Sequence, residues 1–218
     1  MKGQTQAVTA VMITGIVVAT VTTAYVWGSP LVEKRQGQAD LQNIESKALD
    51  IEEGIRSVSQ SGTGNSEQIQ VSLDDGNIDI EPGRNYLEFS YNAEGSNYPV
   101  SAWNLLRGQS RQGLSFGAEG YGIRGVNTPG VVAAKKDSES SSRVVYRIEF
   151  RNMRTNTPSG PELRLVDLQS SGSETASGDV TLDISNAGTV RDTGSDAVEL
   201  DDGRNLSRTR NIVEIDFR

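Results

Sequence analysis

The sequence predicts an α+β protein: a long N-terminal α-helix, first hydrophobic and then amphipathic, followed by a mostly antiparallel β-sandwich-like domain. Three observations predict it. Residues 7–27 carry no charge, residues 31–60 repeat apolar side chains at helical spacing, and residues 65–218 alternate short β-prone runs with turn sequences. That last part has roughly 150 residues, which is the usual size of one domain with its own core.

The first element is a hydrophobic helix that we assign to residues 4–30. Its centre reads AVTAVMITGIVVATVTTAYVW, and 21 residues at about 1.5 Å per residue cross the roughly 30 Å hydrocarbon core of a bilayer. The sequence Gly28-Ser29-Pro30 then predicts a bend or an interruption of the helix. The side chains expected to form the apolar surface are Val8, Val11, Met12, Gly15, Ile16, Val18, Ala19, and the interfacial aromatics Tyr25 and Trp27.

A cleavable secretory signal is the rival interpretation of this segment. It predicts a shorter apolar core, of about 7–15 residues, followed by a small-residue cleavage site, and neither fits well here. The flanking charges do not decide orientation, because Lys2 precedes the helix while Glu33, Lys34 and Arg35 follow it. The polar, turn-rich domain that follows favours export.

The second element is an amphipathic helix over residues 31–60. An apolar stripe recurs at steps of three and four, and the helix is expected to end near residues 59–64, where SQSGTGNS is a loop signal. The stripe can pack on the protein's own β domain or on a neighbouring subunit; its short length favours the first, and both can hold together. Its members are Leu41, Ile44, Ala48, Ile51, Ile55 and Val58.

The third element, residues 65–218, is predicted to be a β-rich head outside the cytoplasm. Asp75-Gly76 predicts a hairpin turn between two early strands, residues 82–85 predict a second turn, and residues 155–161 predict a loop. Trp103, with two following leucines, predicts a core anchor in a region that is otherwise hard to assign. The remaining strands are predicted at 86–91, 143–151, 162–168, 179–184, 196–200 and 211–217.

Composition argues against enzymatic chemistry. The chain has no Cys and no His, which excludes thiolate and imidazole metal sites and every nucleophile–histidine arrangement, so we expect no catalytic site and no cofactor. A membrane-tethered hydrolase is the least favoured class. Oxygen atoms at Asp74, Asp75, Asn77 and Asp79 would suit Ca²⁺, but the EF-hand pattern is absent and a plain turn explains them better. We expect no metal site.

The net charge and one glycosylation sequon restrict the partners and the compartment that we expect for the protein. The net charge of −8 disfavours nucleic acid. The 5 Lys against 16 Arg fit a salt-loving (halophilic) host, with ordinary compositional drift as an equal alternative. Asn205-Leu206-Ser207 is an N-glycosylation sequon, which predicts an exposed loop with Asn205 as the acceptor if the domain is exported.

The N-terminus resembles the class III signal peptide of archaeal type IV pilins and archaellins. The resemblance is carried by Lys2, Gly3 and Gln4 directly ahead of the apolar helix, and it extends over roughly residues 2–60. It implies that a prepilin peptidase removes residues 1–3 between Gly3 and Gln4 and leaves the helix on the mature chain. It also implies assembly machinery, copies of the same chain as partners, and a membrane location before assembly.

The resemblance therefore predicts a structural subunit of a surface filament, with adhesion as one use of its head. The runner-up is a single-pass, membrane-anchored extracytoplasmic binding or accessory protein that never polymerises. The filament hypothesis has a physical basis. An apolar helix extracted from the bilayer must be buried elsewhere, and packing among copies of itself would bury it.

Overall fold

The fold is taken from a computed structural model, which describes residues 2–92, 96–100, 102–107, 124–125, 128–139, 141–194, 197–199 and 205–218. Helix α1 runs without a break over Lys2–Gln60. The interruption predicted at Gly28-Ser29-Pro30 is therefore wrong. Proline removes one backbone donor and costs about 3 kcal/mol, and the turns on either side keep their own hydrogen bonds. The helix ends inside the predicted region, just before the SGTGNS loop.

In the described part of the chain twelve strands follow, with a 3₁₀ turn at Pro82–Arg84 between the first two. Their bounds are β1 Ser66–Glu81, β2 Tyr86–Asn92, β3 Asn104–Arg107, β4 Arg124–Gly125, β5 Gly130–Lys136, β6 Arg143–Phe150, β7 Asn152–Thr157, β8 Gly160–Ser170, β9 Thr175–Asp192, β10 Val198–Glu199, β11 Asn205–Leu206 and β12 Arg208–Phe217.

Ten of these strands form one sheet, in the order β3-β5-β6-β2-β1-β9-β12-β8-β7-β4, and β10 and β11 form a separate hairpin. Neighbours are antiparallel except for the pairs β12–β8 and β4–β7. Strands β1 and β6 also contact β8, which lies several places away in the order, so the sheet curls into a sandwich-like shape. The predicted α+β class is confirmed.

The C-terminal half of α1 packs on the inner face of this sheet, against β1, β5, β6, β9 and β12. The stripe residues Ile44 to Val58 are buried in the same cluster as the strand residues, and Leu41 is half-buried against it. The stripe thus contacts its own β domain, which is the first of the two arrangements considered. At helical spacing it supplies one wall of the core, and the largest buried strand side chains supply the other: Leu73, Ile78, Phe89, Tyr146, Ile148, Phe150 and Leu168.

Two turn predictions are wrong. Asp75-Gly76 does not make a hairpin, because β1 continues through it and pairs with β9 on both sides, with an irregular register between Ser72 and Asn77. Several residues of β1 are accommodated there as a bulge, so a turn-like sequence serves to bend a strand. The loop predicted at residues 155–161 is also shorter, because Thr157 pairs with Gly160 in a tight β7–β8 hairpin.

Close backbone approach explains the glycine in this bulge. A Cβ atom added at Gly76 would lie 1.9 Å from the carbonyl oxygen of Ser90 on β2 and 2.9 Å from that of Leu73. Both obstacles are backbone atoms, so a side-chain rotation cannot relieve them. Glycine is therefore required here by packing.

We expect Gly76→Ala to destabilise the head by roughly 3 kcal/mol or more, because β1 must move away from β2. Gly83→Ala is the matched control, since a Cβ at that glycine meets nothing within 4 Å. Urea unfolding of the two variants, followed by tryptophan fluorescence, measures the difference. Equal midpoints for the two variants would contradict the close approach.

A buried asparagine joins the two halves of the curled sheet. Asn85 follows the 3₁₀ turn, is fully buried and has a left-handed backbone with φ of 58°. Its amide Nδ2 donates to the carbonyl oxygens of Phe150 and Val166, both at 2.8 Å, and its Oδ1 accepts from the N–H of Leu168 at 2.8 Å. One side chain thus ties the end of β6 to the middle of β8.

Candidate anchoring and assembly surface

The candidate functional surface is the N-terminal half of α1, which packs against no other described element. Its large apolar side chains lie in the open: Trp27 is 82% exposed, Tyr25 75% and Val11 73%. Further along the same helix, Ile51 and Ile55 are fully buried. One helix therefore has two environments, with the change occurring between residues 32 and 44.

This exposed half is long and apolar enough to span a bilayer. The segment Val11–Ser29 has 19 residues and a mean hydropathy of 1.6, and none of it is buried by the rest of the chain. At about 1.5 Å per residue it covers nearly the roughly 30 Å of a hydrocarbon core. An exposed surface of this length is costly in water, so it needs a lipid or protein covering.

The threonines of the segment do not expose unsatisfied hydroxyls. Thr20 donates to the carbonyl oxygen of Ile16, Thr22 to that of Val18, and Thr23 to that of Ala19, each at 2.8 Å. These four-residue back-bonds hide the hydroxyl hydrogen from an apolar surrounding. The helix can therefore be buried in lipid or against other helices without losing a hydrogen bond at these positions.

The predicted surface residues fall on this half in the following way. Val11, Met12, Ile16, Val18, Tyr25 and Trp27 are exposed apolar side chains, and Gly15 and Ala19 are exposed small ones. A Cβ at Gly15 would meet nothing within 4 Å. Lys2, Gly3, Gln4 and Val8 lie in the helix, but their side chains are outside the described part, as is all of Met1.

A cluster of ion pairs fixes the helix to the edge of the sheet. Glu52 is buried on α1 and pairs with Arg107 of the edge strand β3 and with Arg56, the latter at 3.5 Å. Arg107 also reaches Glu53 at 3.3 Å. Gly130 makes room for the carboxylate, since a Cβ there would lie 2.4 Å from Oε1 of Glu52. A buried carboxylate needs such partners, so we interpret this cluster as structural.

A second buried cluster lies on β8, β9 and β12. Arg210 pairs with Asp167 at 2.7 Å and with Asp192 at 2.9 Å, and Arg208 pairs with Asp192 at 2.8 Å. Although burial opposes ionisation, the two arginines hold the pKa of Asp192 below its usual value. Every charge here is matched, which is the pattern of a structural network.

The oxygen-rich segment considered for Ca²⁺ holds no cluster in its described part. The amide of Asn77 donates to Asp79, and its Oδ1 accepts from the Ser90 hydroxyl at 2.6 Å, so these groups are already used in the sheet. The side chains of Asp74 and Asp75 lie outside the described part. Among the described residues, no group of three or more acidic side chains is arranged to hold a metal ion.

Glu149 on β6 is a buried carboxylate whose pKa is raised well above its ordinary value. Burial raises its pKa to about 7 from an ordinary 4.5, against the opposing charges of Arg147 and Arg151. The folded state thus holds the proton more tightly than the unfolded chain. The contribution of Glu149 to stability is therefore fully present below about pH 4.5 and is lost as the pH rises through about 7.

Glu149→Gln should remove that pH dependence. We expect the wild-type free energy of unfolding to fall by about 2 kcal/mol between pH 5 and pH 8, and that of the variant to fall by clearly less. Urea titrations at the two pH values measure both falls, with the exposed carboxylate Glu81→Gln as control. Parallel pH profiles for wild type and Glu149→Gln would refute the assignment.

The sequon lies on the small hairpin of β10 and β11. Asn205 is exposed and pairs with Glu199, while the neighbouring Leu206 is buried against Leu163. The acceptor amide therefore points away from the apolar contact that fixes the hairpin. Accessibility suits glycosylation, and its occupancy stays a prediction.

Comparison of the chain with protein-family models, with curated proteins and with solved structures found no match. The class that the fold and this surface define is a protein with an apolar N-terminal helix, able by length and composition to enter a membrane, and a β-rich head.

Proposed function

We propose that the protein is a structural, non-enzymatic subunit of an extracellular type IV pilus-like filament. The observation that carries this is the division of α1 into an exposed apolar half and a half built into the head. The resemblance of residues 2–60 to class III signal sequences supports it. In this proposal the chain is first anchored in the membrane by α1 and is then extracted into a filament at the cell surface.

In this proposal the exposed half of α1 needs two different coverings in succession. A bilayer covers it before assembly, and packing against the same segment of other copies covers it afterwards. The small residues Gly15 and Ala19 allow close helix approach, and the back-bonded threonines suit both environments. The head keeps its fold in both states because its own part of α1 never leaves the core.

The implied partners are copies of the same chain, a prepilin peptidase acting between Gly3 and Gln4, and a filament assembly machine. An adhesive role for the head is one use of such a filament. The second candidate is a membrane-anchored extracytoplasmic binding or accessory protein that never polymerises. The same exposed helix favours that candidate, since a lipid covering alone would satisfy it.

Gly15→Leu separates the two candidates. The substitution raises hydrophobicity, so the chain stays in the membrane, and a Cβ atom at residue 15 meets nothing within 4 Å. It adds bulk where neighbouring helices would approach. We expect wild-type cells to carry filaments containing this chain and Gly15→Leu cells to lose most of them at unchanged membrane content.

The measurements are negative-stain electron microscopy of sheared surface material and immunoblots of membrane fractions. Val18→Leu, an exposed apolar residue on the same helix, is the control and is expected to keep its filaments. Absence of the chain from any filament in wild-type cells would refute polymerisation and leave the membrane-anchored alternative.

A further inference from the structure

A groove runs between α1 and the edge of the sheet, outside the surface described above. One wall is the helix face that carries Gln38, Leu41, Gln42 and Glu45, which are spaced three and four apart. The other wall is formed by residues 97–99 and by alternate residues of β3. We call this the Tyr98 groove, after the aromatic residue at its side; its volume is about 600 Å³, within the range of small-molecule sites.

The rim of the groove is rich in carboxamides. Gln38, Gln42, Asn97 and Asn104 all line it and all are exposed. Within the described part of the chain, the side-chain amides of these four residues make no hydrogen bond. Each carboxamide offers donors and an acceptor in one group, which is the pattern that pairs with hydroxyl groups.

The base of the groove is fixed and partly apolar. Tyr98 donates its hydroxyl hydrogen to Glu45 and packs edge-on against the buried Tyr146, with ring centroids 6.2 Å apart. Burial, followed by this hydrogen bond, raises the pKa of Tyr98 well above its usual range, so the donor is kept at every physiological pH. Leu41, Pro99 and Leu106 provide the apolar contact surface.

The charge of the groove narrows the class of ligand. No Lys or Arg is among the described residues that line it, so it has no group to neutralise a phosphate or a carboxylate. Glu45 is the one carboxylate among the described lining residues, and it is already paired with Tyr98, so the groove is a poor site for a cation. A neutral ligand with several hydroxyl groups and an apolar face matches both the amides and the Leu, Pro and Tyr surface.

We propose that the Tyr98 groove binds a neutral saccharide. The four amides bond the ring hydroxyls, and Tyr98, Leu41 and Leu106 contact the apolar ring face. This activity does not depend on polymerisation, because every lining residue belongs to one chain, so it holds for a filament subunit and for a membrane-anchored protein alike. Its failure would leave the filament proposal untouched.

The test uses the full chain in micelles of a detergent that carries no sugar. Saturation-transfer NMR is recorded with glucose, galactose, mannose, N-acetylglucosamine and, as a charged comparison, glucuronic acid. We expect transfer to at least one neutral sugar and a weaker signal for glucuronic acid. No transfer to any neutral sugar, or stronger transfer to glucuronic acid, would overturn the proposal.

Variants then place the binding in the groove. Gln42→Ala combined with Asn104→Ala removes two exposed amides and should raise the dissociation constant for the sugar roughly tenfold or more. Asn43→Ala is the matched control, because Asn43 is an exposed amide on the same helix that does not line the groove. Equal dissociation constants for the double variant and the control would place any binding elsewhere and refute the site.

Discussion

Replacing Asn85 with alanine is expected to destabilise the head by about 4 kcal/mol or more, a large part of a typical domain stability. The variant leaves the carbonyl oxygens of Phe150 and Val166 and the N–H of Leu168 without their partner inside the core. It also places alanine at a φ of 58°, a backbone region that costs a non-glycine residue roughly 1 kcal/mol.

Two further variants separate the effect of losing the amide from the effect of the left-handed backbone. Asn85→Gly removes the amide but relaxes the backbone, so it should recover only roughly 1 kcal/mol of the loss. Asn85→Asp keeps an acceptor for Leu168 but sets carboxylate oxygens against two carbonyl oxygens, so it should remain destabilised. Urea unfolding of the three variants measures the order. Wild-type stability in Asn85→Gly would contradict the role given to the amide.

The second large effect is expected from aspartate substitutions in the two halves of α1, because one half holds the head folded and the other associates with membranes. Ile51→Asp puts a charge into the fully buried stripe and should unfold the head, since a buried unpaired carboxylate costs several kcal/mol. The chain should still partition into membranes, because Val11–Ser29 is unchanged. Val17→Asp makes the same substitution on the exposed half and should do the reverse, weakening membrane association while the head stays folded.

Protease resistance of the head and flotation with lipid vesicles measure the two properties independently. We expect Ile51→Asp to lose the first and keep the second, and Val17→Asp to show the opposite pattern. Loss of both properties in both variants would mean that the two halves of the helix are not separable as described.

Truncation of α1 separates the exposed half from the buried half without introducing a charge. A chain of residues 36–218 keeps the buried stripe and should be a folded, water-soluble monomer. A chain of residues 62–218 loses four large buried side chains, each contributing roughly 1.5–3 kcal/mol, and should fail to fold. Circular dichroism and size-exclusion chromatography of the two chains give the answer.

Much of the architecture follows from the sequence, because periodicity is a local signal. The uncharged run predicts the exposed half of α1, and the three-and-four spacing from Leu41 to Val58 predicts the buried half. The alternating run at residues 143–151 predicts β6. These patterns require only that an element has one apolar face.

The failed hairpin prediction at Asp75-Gly76 depends on contacts between distant parts of the chain. Asp75-Gly76 is a strong local turn signal, yet β9 pairs on both sides of it and holds β1 extended. Asn85 looked like an ordinary turn residue, and its three bonds to β6 and β8 have no local sequence signal. The Tyr98 groove likewise forms only when residues 38–45 meet residues 97–106 in the fold.

The proposed function requires that the apolar half of α1 is kept on the mature chain and becomes the core of a filament. The most direct test is the intact mass of the chain isolated from sheared surface filaments. We predict a chain that begins at Gln4 and retains the whole of Val11–Ser29. A surface chain that still carries Lys2 and Gly3, or one that has lost the apolar segment, would contradict the claim.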